Sequence, residues 1–354
     1  LAAPAATDQA GLEHFFSRAA NQLGTDDLEG SGGRRRAFEE RPSGYSSHIA
    51  SMSAHHCIRG VFAAAITPRQ TSGVAIDFGA AAALAEFLEA HGVDGITLLG
   101  STGEFVHFDA AARGELVEVV KRRTKLPVLV NASHSTLQGA ICMARDAADR
   151  GAAGVMVLPP YYFRYDQESI RAFCLEFAAE VHKHATVSVF LYNIPFFTNP
   201  IELVTSLDLL RSGAFAGIKD SGGKWDDFVT LQQTAAQRDL AVLIGNDAIY
   251  GWAAKAGAAG VVSGVASALP ELMAAVGRAA RVGADTSALD GRVQEFIDRI
   301  LQFPIPIGIR EAAALRGIPA GPHASPLGAE GEKRLDEFRG WFREWLPGVE
   351  RDLG

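Results

Sequence analysis

A lysine closes the apolar run Phe215-Ala216-Gly217-Ile218-Lys219, and Asp220-Ser221-Gly222-Gly223 follows it. An amine shielded by apolar neighbours at a strand end is poorly hydrated; desolvation favours its neutral form, and a neutral amine can attack a carbonyl carbon. The same position also suits a structural lysine paired with the adjacent Asp220. Lys224 is a second amine, but it opens a helix, where water keeps an ammonium charged.

Three other segments could serve such a nucleophile. In Leu98-Leu99-Gly100-Ser101-Thr102-Gly103-Glu104, glycines flank two hydroxyl residues directly after an apolar run. Backbone N–H groups in such a turn, with the Ser101 and Thr102 hydroxyls, can hold a carboxylate, although an ordinary strand-to-helix turn reads the same way. Val189 to Pro195 carries Tyr192, whose phenol can relay a proton or can simply be a core tyrosine satisfied by backbone. Pro159-Pro160-Tyr161-Tyr162-Phe163-Arg164 is a stiff aromatic loop of the kind that makes subunit contacts, offering area at little entropic cost. His55-His56-Cys57 looks like half a metal site, yet no second cluster lies near it in sequence, and a flexible tail is the simpler reading.

The elements that position these residues follow from periodicity. From Gly60 onward, short β-rich runs alternate with amphipathic stretches. Strands are expected at Val61–Thr67, Gly95–Leu99, Pro127–Asn131, Gly154–Leu158, Ser188–Tyr192, Ala216–Lys219, Ala241–Ile244 and Gly260–Ser263. Helices are expected at Phe78–His91, Ala110–Arg123, Leu137–Arg150, Gln167–His182, Ile201–Leu210, Trp225–Arg238, Ala248–Ala256 and, opened by Pro270, on to Val282. Further helices are expected at Arg292–Leu301, Ile307–Leu315 and Glu330–Trp345. A doubly wound open sheet also alternates β and α, but eight consecutive units over roughly 220 residues fit a closed (β/α)8, or TIM, barrel better. The expected organisation is a leader over 1–57, a barrel over 58–283 and a C-terminal helical appendix over 284–354. Barrel sites form at the carboxyl ends of the strands, so the four segments, which end strands two, four, five and six, converge on one mouth.

Composition narrows the partners. The chain has 354 residues, 48% of them hydrophobic and only 8% aromatic, which favours close helix-on-strand packing over an aromatic-rich sandwich. A net charge of -8 offers no field for nucleic acid or an anionic membrane surface. Cys57, Cys142 and Cys174 show no CxxC spacing, which fits a reducing, cytoplasmic setting. No apolar run reaches the roughly eighteen residues of a membrane helix. Asp26, Asp27, Glu29, Glu39 and Glu40 surround Arg34-Arg35-Arg36 and argue against a targeting segment. Residues 1–57 are expected to be disordered apart from a short helix near Leu12–Leu23.

GSTGE, PPYY, YNIP and GIKDSGG, in this order and spacing, resemble the dihydrodipicolinate synthase/N-acetylneuraminate lyase family over about Gly60 to Trp345. The resemblance implies that Lys219 forms an imine with a pyruvate-type 2-oxo acid and that Ser101 and Thr102 bind its carboxylate. It further implies that Tyr192 shuttles protons and that Tyr162 reaches across a tight dimer, with Ser101 linking the two phenols. Val262 would offer its backbone carbonyl to the bound acid. No metal or organic cofactor is implied, and the assembly would be a dimer or a dimer of dimers, up to a homotetramer.

Two departures bear on the second substrate. Dihydrodipicolinate synthases of this family carry an arginine two residues after the YNxP proline; Phe197 stands there, and Phe196 precedes it, which suggests a more apolar acceptor. Sialic-acid lyases match at Gly245 and Asp247, but their next acidic residue is Ala248 here. The expected activity is a Schiff-base aldolase, lyase or dehydratase acting on a 2-oxo acid such as a 4-hydroxy-2-oxo acid or a 2-keto-3-deoxy sugar acid. The alternatives are 4-hydroxy-tetrahydrodipicolinate synthesis from pyruvate and aspartate semialdehyde, and a catalytically silent binding barrel.

Overall fold

The computed structural model describes residues 58–353. The expected leader, its short helix and the His55-His56-Cys57 cluster lie outside them. Eight parallel strands close on themselves in sequence order, the last pairing with the first: β1 (Gly60–Ala64), β2 (Gly95–Leu98), β3 (Val128–Asn131), β4 (Gly154–Val157), β5 (Ser188–Asn193), β6 (Gly217–Asp220), β7 (Ala241–Ile244) and β8 (Gly260–Ser263). Their residues are buried almost without exception, as expected for strands enclosed by helices on one face and by the barrel's own interior on the other.

A helix follows each strand: α1 (Phe78–Ala90), α2 (Ala110–Arg123), α3 (Leu137–Asp149), α4 (Gln167–His184), α5 (Leu203–Arg211), α6 (Trp225–Ala236), α7 (Tyr250–Lys255) and α8 (Pro270–Arg281). The starts of the first four are fixed chemically, since Asp77, Asp109, Thr136 and Asp166 each accept an N–H from the first turn. These caps determine where each loop ends and hence the length of backbone left at the mouth.

Three more helices, α9 (Ser287–Ile300), α10 (Ile307–Leu315) and α11 (Ala329–Leu353), follow the barrel. α9 begins at Ser287 rather than at the expected Arg292. Side chains rather than apolar period hold its first turn: Thr286 donates to Asp290 at 2.7 Å, and Asp285 accepts from the Ser287 N–H at 3.0 Å. α11 runs past the expected Trp345 and through Pro347 to Leu353. Val349, only 1% exposed, buries apolar surface beyond the proline and offsets the lost helical hydrogen bond. Phe296 of α9 stacks on Trp345 of α11 with ring centroids 6.0 Å apart, joining the two helices.

α10 is tied directly to the barrel mouth. Arg310, 1% exposed, donates to the Thr67 carbonyl at 2.8 Å, to Glu104 Oε2 at 3.1 Å and to the Ala320 and Pro322 carbonyls. Arg69 meets the other Glu104 oxygen at 3.3 Å. The carboxylate that ends the Gly-Ser-Thr-Gly-Glu turn is thus clamped between two guanidinium groups, and among the described residues no helix is long and apolar enough to cross a membrane.

Candidate active site

Strand register brings the lysine and the tyrosine together. Tyr192 of β5 is the direct lateral partner of Lys219 of β6, and Asn193 is the partner of Asp220. Side chains alternate across a strand, so the first pair shares one face and the second pair the other. Lys219 Nζ accordingly lies 4.1 Å from the Tyr192 ring centroid, while Asn193 Nδ2 donates to Asp220 Oδ1 at 2.8 Å. Asp220 also accepts the Gly222 N–H at 3.2 Å. Burial pushes its carboxyl up, an effect that these hydrogen bonds and the Lys219 charge partly offset. The structural pairing of Lys219 with Asp220 is therefore absent, because adjacent strand residues point apart. Lys219 forms no direct ion pair with Asp220, although its charge is felt by Asp220 and by Asp247.

The Tyr192 hydroxyl lies 3.3 Å from Ser101 Oγ. Ser101 follows β2, three strands away from β5, so the two can meet only across the barrel interior. The turn carrying Ser101 is shaped by backbone in the left-handed region at Leu99 (φ 61°) and Glu104 (φ 51°). A Cβ on Gly103 would come within 2.9 Å of the Leu99 nitrogen, so the turn folds back on itself only because that residue is glycine. Asn131 Nδ2 holds the Leu99 carbonyl at 2.7 Å, and Thr67 donates to the Gly103 carbonyl at 2.7 Å. Among the described residues the Ser101 and Thr102 N–H groups have no acceptor, which leaves them available to an incoming carboxylate.

The residues of strands seven and eight complete the mouth. Lys219 pairs laterally with Leu243 of β7, so Gly245 stands two residues on, beside Ser221. A Cβ on Gly245 would lie 2.0 Å from Ser221 Oγ and 2.8 Å from Lys219 Nζ. Asp247 follows: its Oδ2 accepts the Val265 N–H at 3.3 Å, whereas its Oδ1 is sealed from solvent without a partner. Burial pushes the Asp247 carboxyl up to about 6, against the Ser263 hydroxyl, the Val265 and Gly264 N–H groups and the Lys219 charge, which all act downward. A Cβ on Gly264 would sit 3.6 Å from Thr102 Oγ1 and 3.8 Å from Asp247 Oδ2, so Thr102 and Asp247 flank the same glycine. Val262 is 5% exposed in β8.

Tyr162 and Phe197 stand apart from this cluster. Tyr162 is 89% exposed, and its backbone is in the left-handed region at φ 82°, a conformation that costs a tyrosine of order 1–3 kcal/mol. Its neighbour Tyr161 packs edge-on against Phe105, with centroids 5.6 Å apart, and lies beside buried Arg113. Phe196 and Phe197 sit on the turn after β5, where the Phe197 N–H donates to the Ile194 carbonyl at 3.1 Å, and both rings are exposed. Among the described residues no group of three or more His, Cys, Asp or Glu side chains could hold a metal ion.

The model of the dihydrodipicolinate synthetase family matches residues 57–343 of this sequence. The chain belongs to that family. It is 30% identical, over 72% of its length and 85% of the relative's, to an uncharacterized DapA-like lyase of Chloroflexus aurantiacus. It is 27% identical, over 78% of its length and 95% of the relative's, to the 4-hydroxy-tetrahydrodipicolinate synthase of Methanococcoides burtonii. Among solved structures, a dihydrodipicolinate synthase of Cyanidioschyzon merolae with lysine bound superposes with a TM-score of 0.73 at 26% identity, covering 80% of this chain and 97% of that one. A 2-keto 3-deoxygluconate aldolase of Picrophilus torridus shares the fold with a TM-score of 0.69 at 24% identity over 75% of this chain and 96% of that one. The dihydrodipicolinate synthetase family member described here is thus a barrel enzyme of the aldolase and lyase type.

One residue of the family member's mouth, Ser221, was not singled out by sequence reasoning. Ser221 accepts from Lys219 Nζ at 2.6 Å, and Gly245 leaves room for both. The signal for Ser221 was strand alternation, which puts the second residue after the lysine on the lysine's own face.

Proposed function

We propose that this enzyme forms an imine between Lys219 and C2 of pyruvate or a related 2-oxo acid, and cleaves or makes the adjacent C3–C4 bond through the enamine. The observation that carries this reading is Lys219 itself: 5% exposed at the barrel mouth, against the face of Tyr192 and hydrogen-bonded to Ser221. In the lyase direction the imine accepts the bonding electrons as C3–C4 breaks, and Tyr192 takes the proton released from the C4 hydroxyl. The N–H groups and hydroxyls of Ser101 and Thr102 are suited to the substrate carboxylate, and the Val262 carbonyl and Asp247 to its polar groups further along. Phe197, in place of a guanidinium, favours a 2-oxo acid lyase over condensation with an acidic aldehyde. We assign Tyr162 to the site of a second copy of the chain, a role supported by its exposure and its strained backbone, and take the working unit to be a dimer or a dimer of dimers. We assign the catalytic body to 58–283 and a bracing role to 284–354, and the sparse cysteines support a cytoplasmic setting.

Borohydride reduction in the presence of pyruvate tests the central step. The expected result is a stable mass increase on the peptide containing Lys219. A peptide of unchanged mass would sink the imine reading and leave a binding barrel.

A further inference from the structure

Lys219 has one hydrogen-bond partner within its own strand segment. Its Nζ donates to Ser221 Oγ at 2.6 Å, and the Ser221 backbone is itself anchored, its N–H donating to the Asn193 carbonyl at 2.8 Å. The absence of a side chain at Gly245 is what admits this contact, since a Cβ there would lie 2.0 Å from Ser221 Oγ and 2.8 Å from Lys219 Nζ. Ser221 and the amine are therefore packed together over Gly245, with the Tyr192 ring 4.1 Å from Nζ.

We propose that Ser221 is a positioning residue for imine formation: its hydroxyl accepts the one N–H that the lysine nitrogen keeps throughout the reaction and thereby aims the lone pair at C2. This assignment rests on the imine reading above. A neutral amine has two hydrogens and one lone pair. With one N–H committed to Ser221, the lone pair and the second hydrogen are turned toward the mouth. Attack on C2 forms the N–C2 bond, and the second hydrogen goes to the carbonyl oxygen, giving a carbinolamine. The C2–O bond then breaks as a proton from the Tyr192 phenol completes a departing water, and the nitrogen lone pair becomes the second C=N bond. The nitrogen retains a single N–H, now on a cation, and it is this N–H that Ser221 holds. A hydrogen bond to a charged donor is stronger than one to a neutral donor, so the same contact favours the iminium over the amine. The Tyr192 phenolate recovers its proton from the C4 hydroxyl when C3–C4 cleaves, and the account balances.

Rapid-quench borohydride trapping with pyruvate, read by mass on the Lys219 peptide, tests the proposal in the full chain. Ser221→Ala is expected to slow adduct formation at saturating pyruvate by about tenfold or more, with the half-saturating pyruvate concentration within about twofold of its original value. Ser221→Thr, which keeps the hydroxyl, is expected to recover most of the rate. An undiminished rate in Ser221→Ala overturns the proposal while leaving the imine reading intact; so does an equal loss in the alanine and threonine variants. If Ser221→Ala loses its far-UV signal, Ser221→Cys, near in volume but a weak acceptor, takes its place, and an undiminished rate there is equally fatal. No adduct in the unsubstituted protein would instead remove the imine reading and this proposal together.

Discussion

Arg310 and Lys219 are both buried basic side chains, and they are provisioned in opposite ways. Arg310 shares a carboxylate with Arg69 and gathers backbone carbonyls from Thr67, Ala320 and Pro322. Lys219 has a serine hydroxyl and an aromatic face. Burying a charge is costly unless it is paired and hydrogen-bonded, so the Arg310 environment belongs to a group whose task is to remain charged and still. The Lys219 environment leaves the amine free to change its bonding. The contrast shows where this barrel spends its polar complementarity: beneath the turn, for position, and sparingly above it, for reaction.

The largest effect should come from the saturated side. Arg310→Met leaves Glu104 with only Arg69 and the His107 ring beside it, and stability is expected to fall by about 3–5 kcal/mol, read from urea denaturation. A loss below about 1 kcal/mol would erase the distinction between the two cations. On the reactive side, Tyr162→Phe removes a hydroxyl that is 89% exposed within its own chain. Turnover is expected to drop by about tenfold, with stability changed by no more than about 0.5 kcal/mol. Full activity would take Tyr162 out of the site.

The smallest effect concerns Asp247, whose carboxyl is pushed up to about 6 in the folded chain. Between its ordinary range and that value the folded state holds a proton that the unfolded chain has released, so stability falls as pH rises through this window. Asp247→Asn removes that cost. The variant is expected to exceed the original protein by about 1–2 kcal/mol near pH 8, after allowance for the residue's partial exposure, and to match it near pH 4. Equal urea midpoints at both pH values would mean that the sealed Oδ1 carries no penalty.

The barrel was legible because each strand is a short apolar run bounded by turn residues and the first four helices each have a polar cap, as at Asp77 and Asp166. Boundaries slipped where side-chain bonds or distant burial overrode local period, at Ser287 and beyond Pro347. Lys219 and Tyr192 could be singled out as strand-end residues, but their contact depended on a register that only the closed sheet supplies. The Glu104 clamp was invisible for a simpler reason: one arginine precedes α1 and the other lies in α10 beyond the barrel, and no periodicity links positions 69, 104 and 310.

That separation also sets an order of events during synthesis. A nascent chain that has emerged through Ser263 already possesses all eight strands and Lys219, yet it still lacks Arg310. Until the ribosome has made α10, Glu104 lacks the Arg310 half of its clamp, and the Ser101–Glu104 turn is held by Arg69 and by the Thr67 and Asn131 side chains. Closure of the sheet and completion of the clamp are thus separate events in the order of synthesis.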